Sequence, residues 1–191
     1  MGSPHRRASE TGSKRKDNRR NVPLIKAVIF DLDGTLIHLS IDYGRLFKEF
    51  SKIMKTEEVR PITEKISKLN NKTRKRVFEV WDKFELEALR NFTVNEEGII
   101  LYQRFSKIPK ALVTRQGKKV VENINKCLGL SFNFTITRED SLERTKQLQN
   151  AAQMLEVQPQ NILFVGNTDD DFLAAKKIGC QFLRVKNESM V

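Results

Sequence analysis

Asp31 and Asp33 flank a single residue in the run Phe30-Asp31-Leu32-Asp33-Gly34-Thr35. Two carboxylates this close, at the end of an apolar segment, are costly unless a cation or a hydrogen-bond network holds them. A hard dication with oxygen ligands, most simply Mg2+, meets that requirement. Further oxygen donors come late in the chain, where Asn167 follows Gly166 and Asp171 follows in turn. Thr114 ends another apolar run, Lys110-Ala111-Leu112-Val113, and brings a hydroxyl suited to an anionic oxygen. Asp33-Gly34 alone reads as an ordinary turn dipeptide. The combination of Asp-x-Asp-Gly-Thr, a terminal Thr and a later Gly-Asn-x-x-x-Asp points instead to cation-assisted chemistry on an anion.

These residues need elements that bring them together. Leu24 to Phe30 is short, apolar and rich in β-branched residues, the pattern of a buried parallel strand. Lys110 to Thr114, Phe132 to Thr137, Asn161 to Val165 and Gln181 to Val185 read as four more strands. Helical patterns lie between them. Val120, Val121, Ile124 and Leu128 form one helix face, with Gly129 placed to stop it. Ser141 is expected to cap a helix carrying Leu148, Ala152 and Leu155. Phe172, Ala175 and Ile178 are expected to begin a last helix, stopped by Gly179. Alternating strands and helices predict an α/β fold, a three-layer Rossmann-like parallel sheet with helices on both faces. Ligands of such sheets bind beyond the carboxyl ends of the strands, which is where Asp31, Thr114 and Asn167 fall. Between the first two strands, Tyr43, Leu46, Phe47, Phe50, Ile53 and Met54 recur at helical spacing, as do Val77, Trp81, Phe84 and Ala88. Residues 40–93 therefore read as a small helical insert or cap, with 22–39 and 94–191 forming the core. Trp81 and the insert's Phe residues are expected to be cap core, and His38 a loop histidine.

Phe30-Asp31-Leu32-Asp33-Gly34-Thr35-Leu36 resembles the first motif of the haloacid dehalogenase superfamily. Ala111-Leu112-Val113-Thr114-Arg115 resembles its second. Leu163 to Asp171, followed by Ala174 to Gly179, is similar to its fourth. The insert lies where the phosphoglycolate-phosphatase-like subgroup places a helical cap, here a short one. The resemblance implies that Asp31 is a nucleophile forming an aspartyl-phosphate. It implies that Asp33 protonates the leaving oxygen and then activates water, and that Thr114 binds a phosphoryl oxygen. Mg2+ would be held by Asp31, Asp33 (through its carbonyl), Asn167 and Asp171. Two departures stand out. Asn167 replaces the usual Asp, and Asp169 or Asp170 could compensate alongside Asp171. The usual third-motif Lys-Pro is missing. Arg144 is the first choice for the phosphate-binding cation, Lys146 the second, and Arg115 a further candidate.

The composition fits this reading. The 191 residues are 39% hydrophobic and 31% charged, with a net charge of +11. A chain of this length can bury about 70% of the surface its unfolded form exposes. No apolar run reaches the roughly 20 residues of a membrane span. Two distant cysteines, Cys127 and Cys180, suit a reducing, cytoplasmic setting. The positive charge favours anionic partners, here a small phosphorylated metabolite. Residues 1–21 hold seven Lys or Arg against Glu10 and Asp17 and are expected to form a disordered basic arm with weak, nonspecific affinity for polyanions. The leading expectation is a Mg2+-dependent phosphatase acting on a small phosphomonoester. A sugar phosphomutase and a weakly active binding or regulatory module on the same fold are the rivals.

Overall fold

The computed structural model describes residues 24–186; the arm expected over residues 1–21 lies outside the described residues. Five strands form one wholly parallel sheet: β1 (Ala27–Phe30), β4 (Lys110–Val113), β5 (Phe134–Ile136), β6 (Ile162–Gly166) and β7 (Gln181–Arg184). Their order is β5-β4-β1-β6-β7. The first strand thus lies in the middle, and its end, Asp31, is flanked by the ends of β4 and β6. The register places Phe30 beside Leu112 on one side and Val165 on the other.

Alternation along β1 builds the two cores. Ala27 and Ile29 point to one face and pack with Leu148, Ala151 and Ala152 of α6 (Arg144–Leu155) and Ala174 and Ala175 of α7 (Asp169–Ile178). Val28 and Phe30 point to the other and pack with Val120, Val121 and Ile124 of α5 (Lys118–Leu128). All four β1 side chains are fully buried, as a sheet covered on both faces demands. Gly129 and Gly179 adopt positive φ at the ends of α5 and α7, the left-handed termination expected of them.

The chain leaves the core through β2 (Ile37–His38) and returns through β3 (Thr93–Val94), and these two segments pair antiparallel. Between them run α1 (Tyr43–Met54), α2 (Ile62–Ser67) and α3 (Asn71–Ala88). They enclose a core of their own around Leu46, Phe50, Ile66, Val77, Trp81 and Phe84. Trp81 stacks edge-on against Phe50, with ring centroids 5.5 Å apart.

Several local expectations are corrected. Strand β1 starts at Ala27, because Leu24 is exposed and pairs only through its carbonyl with Asn161. Ser141 does not cap α6. The cap residue is Glu143, without a side-chain bond, and Ser141 Oγ accepts from the Glu143 N–H (3.1 Å) in a turn ahead of the helix. Helix α7 begins at Asp169, ahead of Phe172, which lies exposed against Phe182 while Asp171, Ala174 and Ala175 face inward. His38 is in β2 rather than a loop. An unexpected helix, α4 (Glu96–Arg104), follows β3 and is capped by Asn95, whose Oδ1 accepts from the Gly98 N–H (3.2 Å). No described helix is long and apolar enough to cross a membrane.

Helix α4 braces the loop that carries the two aspartates. Asn95 is buried, and its Nδ2 donates to the Gly34 carbonyl (3.3 Å) and the Lys186 carbonyl (3.1 Å). Gly98 sits so close to Thr35 that a Cβ would overlap the Thr35 carbonyl oxygen. Gly98→Ala should therefore destabilise the protein by about 1–3 kcal/mol, the range for overpacking. An unconstrained helix position would instead gain from the same change. Urea denaturation gives the sign.

Candidate active site

The site is built at the carboxyl ends of β4, β1 and β6. The Asp31 N–H still donates to the Val165 carbonyl (2.9 Å), so Asp31 is anchored as a continuation of the strand and nearly fully buried. The chain then turns sharply. Leu32 accepts from the N–H groups of Thr35, Leu36 and Ile37, and Gly34 supplies the positive φ the turn needs. The turn brings the Leu39 N–H onto Asp33 Oδ1 (2.9 Å), leaving Asp33 half-buried beside Asp31.

Arg144, the first residue of α6, occupies the centre. Its Nη2 donates to Asp31 Oδ1 (2.8 Å), and its Nη1 donates to the Val113 carbonyl (2.9 Å) and Gln147 Oε1 (3.1 Å). Its Nε lies 2.9 Å from Asp171 Oδ1, an ion pair off the line of a hydrogen bond. Asp171 Oδ2 is taken by the Thr168 hydroxyl (2.7 Å) and the N–H groups of Thr168 (3.1 Å) and Asn167 (3.3 Å). The Thr168 hydroxyl in turn caps α7 by accepting from the Asp171 N–H, a reciprocal capping box.

The electrostatics follow from burial. Asp31 is pushed up to about 7, first by desolvation, against which Arg144 acts to lower it and Asp171 to raise it. Burial also raises Asp33 above the usual carboxylate range, opposed by the Leu39 N–H. Burial would lower Arg144, but Asp31 and Asp171 more than offset it, and the guanidinium titrates above its ordinary value. Asp31 and Asp171 thus share one cation, with a third carboxylate, Asp33, beside Asp31.

Thr114 is fully buried, and its hydroxyl bonds to the Gln116 side chain while accepting from the Gln116 N–H (3.2 Å). Arg115 pairs with Asp170 at the start of α7, and its Nε donates to the Leu142 carbonyl (3.3 Å). Asn167 is half-buried against Gly34, and its Oδ1 accepts from the Thr35 hydroxyl at 3.4 Å. Asp31, Arg144, Asp171 and the Asp33 loop are therefore brought together. Lys146 is not: it is exposed and pairs with Glu143 on the helix surface (2.9 Å). Asp169 and Asp170 are also engaged elsewhere, with Arg184 (2.7 Å) and Arg115.

A cleft of about 710 Å³ runs between α2, α3 and the start of α6, and Arg74, Arg115, Arg144 and Lys146 are among its lining residues. A groove of about 990 Å³ on the outer side of α1 and α3 touches none of the site residues. Sequence reading missed Asn95, Gln147, Arg138 and Glu85. The Asn-Glu-Glu-Gly start of α4 carries a recognisable cap signal. The other three act through single long-range contacts that leave no local pattern.

The fold is a parallel α/β core with a buried carboxylate at the end of its central strand, facing a cation from a crossover helix. Residues 28–185 match the haloacid dehalogenase-like hydrolase family, and the chain belongs to it. A phosphoglycolate phosphatase of Neisseria gonorrhoeae is 28% identical over 187 residues, covering 82% of this chain and 78% of the relative. A Clostridium perfringens protein that carries a pyrophosphatase name, PpaX, is also 28% identical, covering 85% of each chain. Among solved structures, the haloacid dehalogenase-like hydrolase SP0104 of Streptococcus pneumoniae superposes with a TM-score of 0.60 at 20% identity, covering 84% of both chains. A family enzyme of Bacteroides thetaiotaomicron, solved as a magnesium complex, gives 0.56 at 18% identity, over 86% of this chain and 95% of that one. The phosphatase expected from the sequence motifs accords with this membership.

Arg144→Gln leaves Asp31 and Asp171 buried without their cation, and should cost about 3–5 kcal/mol of stability at neutral pH. The sign of the pH dependence is fixed. Asp31 in the fold already titrates at about 7, far above its unfolded value, so its ionisation destabilises the fold as pH rises towards 7. Removing Arg144 raises that folded value further. The deficit of the variant should therefore shrink as pH falls and Asp31 takes up its proton. Urea denaturation at pH 5 and pH 8 measures it; an equal deficit at both would show that Arg144 acts through packing alone.

Proposed function

We propose that this chain is a Mg2+-dependent phosphatase that cleaves a small phosphomonoester through an aspartyl-phosphate at Asp31. The observation that carries this reading is Arg144 held between Asp31 and Asp171 beside the end of the Thr114 strand. An Asp31 carboxylate oxygen attacks phosphorus. Arg144 fixes the carboxylate and can share its guanidinium with a phosphoryl oxygen, as a forked donor suits. Asp33, kept more readily protonated by burial, donates its proton to the leaving oxygen. In the second step it takes a proton from the water that hydrolyses the acyl phosphate. The Thr114 hydroxyl binds a phosphoryl oxygen once Gln116 releases it.

The residues fit a hard dication. Asp31, the Asp33 carbonyl and the Asn167 amide oxygen are all oxygen donors, and the site carries more carboxylate than its one arginine balances. Among the described residues no three acidic, histidine or cysteine side chains form a metal cluster, so this donor set relies on backbone and amide oxygens. Asp171, with its oxygens held by Thr168 and Arg144, serves the site through Arg144 unless it is released. When bound, Mg2+ supplies positive charge that offsets repulsion between the nucleophile and the phosphate. Residues 40–93 act as the cap over a core made of 22–39 and 94–191, excluding water and selecting the substrate.

The names of the relatives make phosphoglycolate and inorganic pyrophosphate the first compounds to try in a phosphate-release panel, run with and without Mg2+. Asp31→Asn keeps the shape and removes the nucleophile, so it should leave no more than a trace of the wild-type rate. A variant that turns over normally would rule out the covalent route. Asn167→Asp adds a charge at the metal and should lower the Mg2+ concentration for half-maximal rate, since charge is what hard dications select. An unmoved half-saturation point in a Mg2+ titration would remove Asn167 from the ligand set.

A further inference from the structure

Arg138 is the largest wholly buried side chain in the described residues, and neither catalysis nor the metal uses it. It follows β5 and reaches across to the cap. Its Nη1 donates to Glu85 Oε1 of α3 (2.7 Å), and its Nη2 pairs with Asp82 of the same helix. Its guanidinium lies over the Trp81 ring (4.7 Å to the centroid) and near that of Phe78 (5.6 Å). The same side chain donates to the Arg115 carbonyl (3.3 Å), and its N–H donates to the Gln116 carbonyl (3.4 Å). Glu85, also fully buried, accepts from the Gly117 N–H with Oε2 (3.1 Å). A Cβ at Gly117 would meet the tips of both Asp82 and Arg138, so a side chain here would push the pair aside.

We propose that Arg138 and Glu85 are positioning residues that hold the Thr114–Gly117 loop in its phosphate-binding shape from the cap side, so that α3 and the phosphate site move as one body. This rests on the phosphatase reading for the role of Thr114. A buried ion pair is weak as a source of stability, and apolar replacements of both partners commonly stabilise as well or better. What this pair adds is direction, since each partner bonds both to the other and to a loop peptide group.

The full chain with Arg138→Met and Glu85→Leu together removes both charges and keeps the volume, leaving Asp82 beside Lys119 (3.9 Å). It should unfold cooperatively in urea. Its kcat on p-nitrophenyl phosphate should nonetheless fall about ten- to a hundredfold, the scale of a misplacement of about 1 Å. Amide hydrogen exchange at residues 114–117 should quicken while β1 and β6 stay protected. A folded double variant with wild-type kcat, or with unchanged exchange at residues 114–117, overturns the proposal. Should the double variant not fold, Arg138→Lys keeps the charge, loses the fork and is read by the same two measurements. A wild-type chain that releases phosphate from no compound in the panel would sink the phosphatase reading, and the exchange experiment would still decide the positioning claim.

Discussion

Burying a guanidinium is tolerable only when nearly every donor has a partner, and Arg144 meets that condition by joining three elements. Its donors reach the end of β1 through Asp31, the end of β4 through the Val113 carbonyl, and its own helix through Gln147, with Asp171 of α7 at 2.9 Å. A lysine is a compact charge with three donors and could not span the same set. The absence of a Lys-Pro at the start of α6 is therefore accompanied by a different local solution, in which Gln147 fills the space behind the cation and itself donates to the Thr114 carbonyl (2.7 Å). Asp31, the neighbouring strand end and the capping box of α7 all meet at this one side chain.

The acidic run Asp169-Asp170-Asp171 shows why the donor set had to be read from structure. In sequence it resembles a store of metal ligands. On a helix, successive residues point about 100° apart, so the three carboxylates leave α7 in different directions. Asp169 meets Arg184, Asp170 meets Arg115, and Asp171 meets Arg144. Acidic residues in a first helical turn are also favoured by the helix dipole. The run is explained by three arginines and a helix end before any metal is invoked. The outer two pairs are substantially exposed and contribute little to stability, while the inner one is buried and organises the site.

The sheet was legible because β1, β4 and β6 are buried on both faces and so read as unbroken apolar runs. The site was legible because its residues sit at the ends of those runs. What the sequence hid were features that depend on partners far away. Phe172 obeys the helical spacing of a core residue yet faces out, because Asp171 and Ala174 take the inward face. Ser141 has the chemistry of a cap, but the chain turns once more before α6 begins. Arg144 and Lys146 could not be ranked by spacing alone, since only the direction of the first helical turn sends one inward and the other to solvent.

The two buried arginines also explain how a short loop can be rigid without lying in the sheet. After β4 ends, the carbonyls of Val113, Thr114, Arg115 and Gln116 are met in turn by Arg144, Gln147, the Arg138 guanidinium and the Arg138 N–H. A strand obtains such satisfaction from its neighbour; here α6 side chains and the side chain and backbone N–H of Arg138 supply it, as a buried backbone requires. The groups come from both sides, α6 beneath the sheet and α3 above through Glu85 on Gly117. Thr114 therefore has little freedom to move without disturbing a buried charge. A loop fixed peptide by peptide holds the Thr114 backbone in place, so that the hydroxyl's bond to the Gln116 side chain is the contact left free to exchange for another oxygen; groups held in advance in this way are the form in which a static fold contributes to a rate.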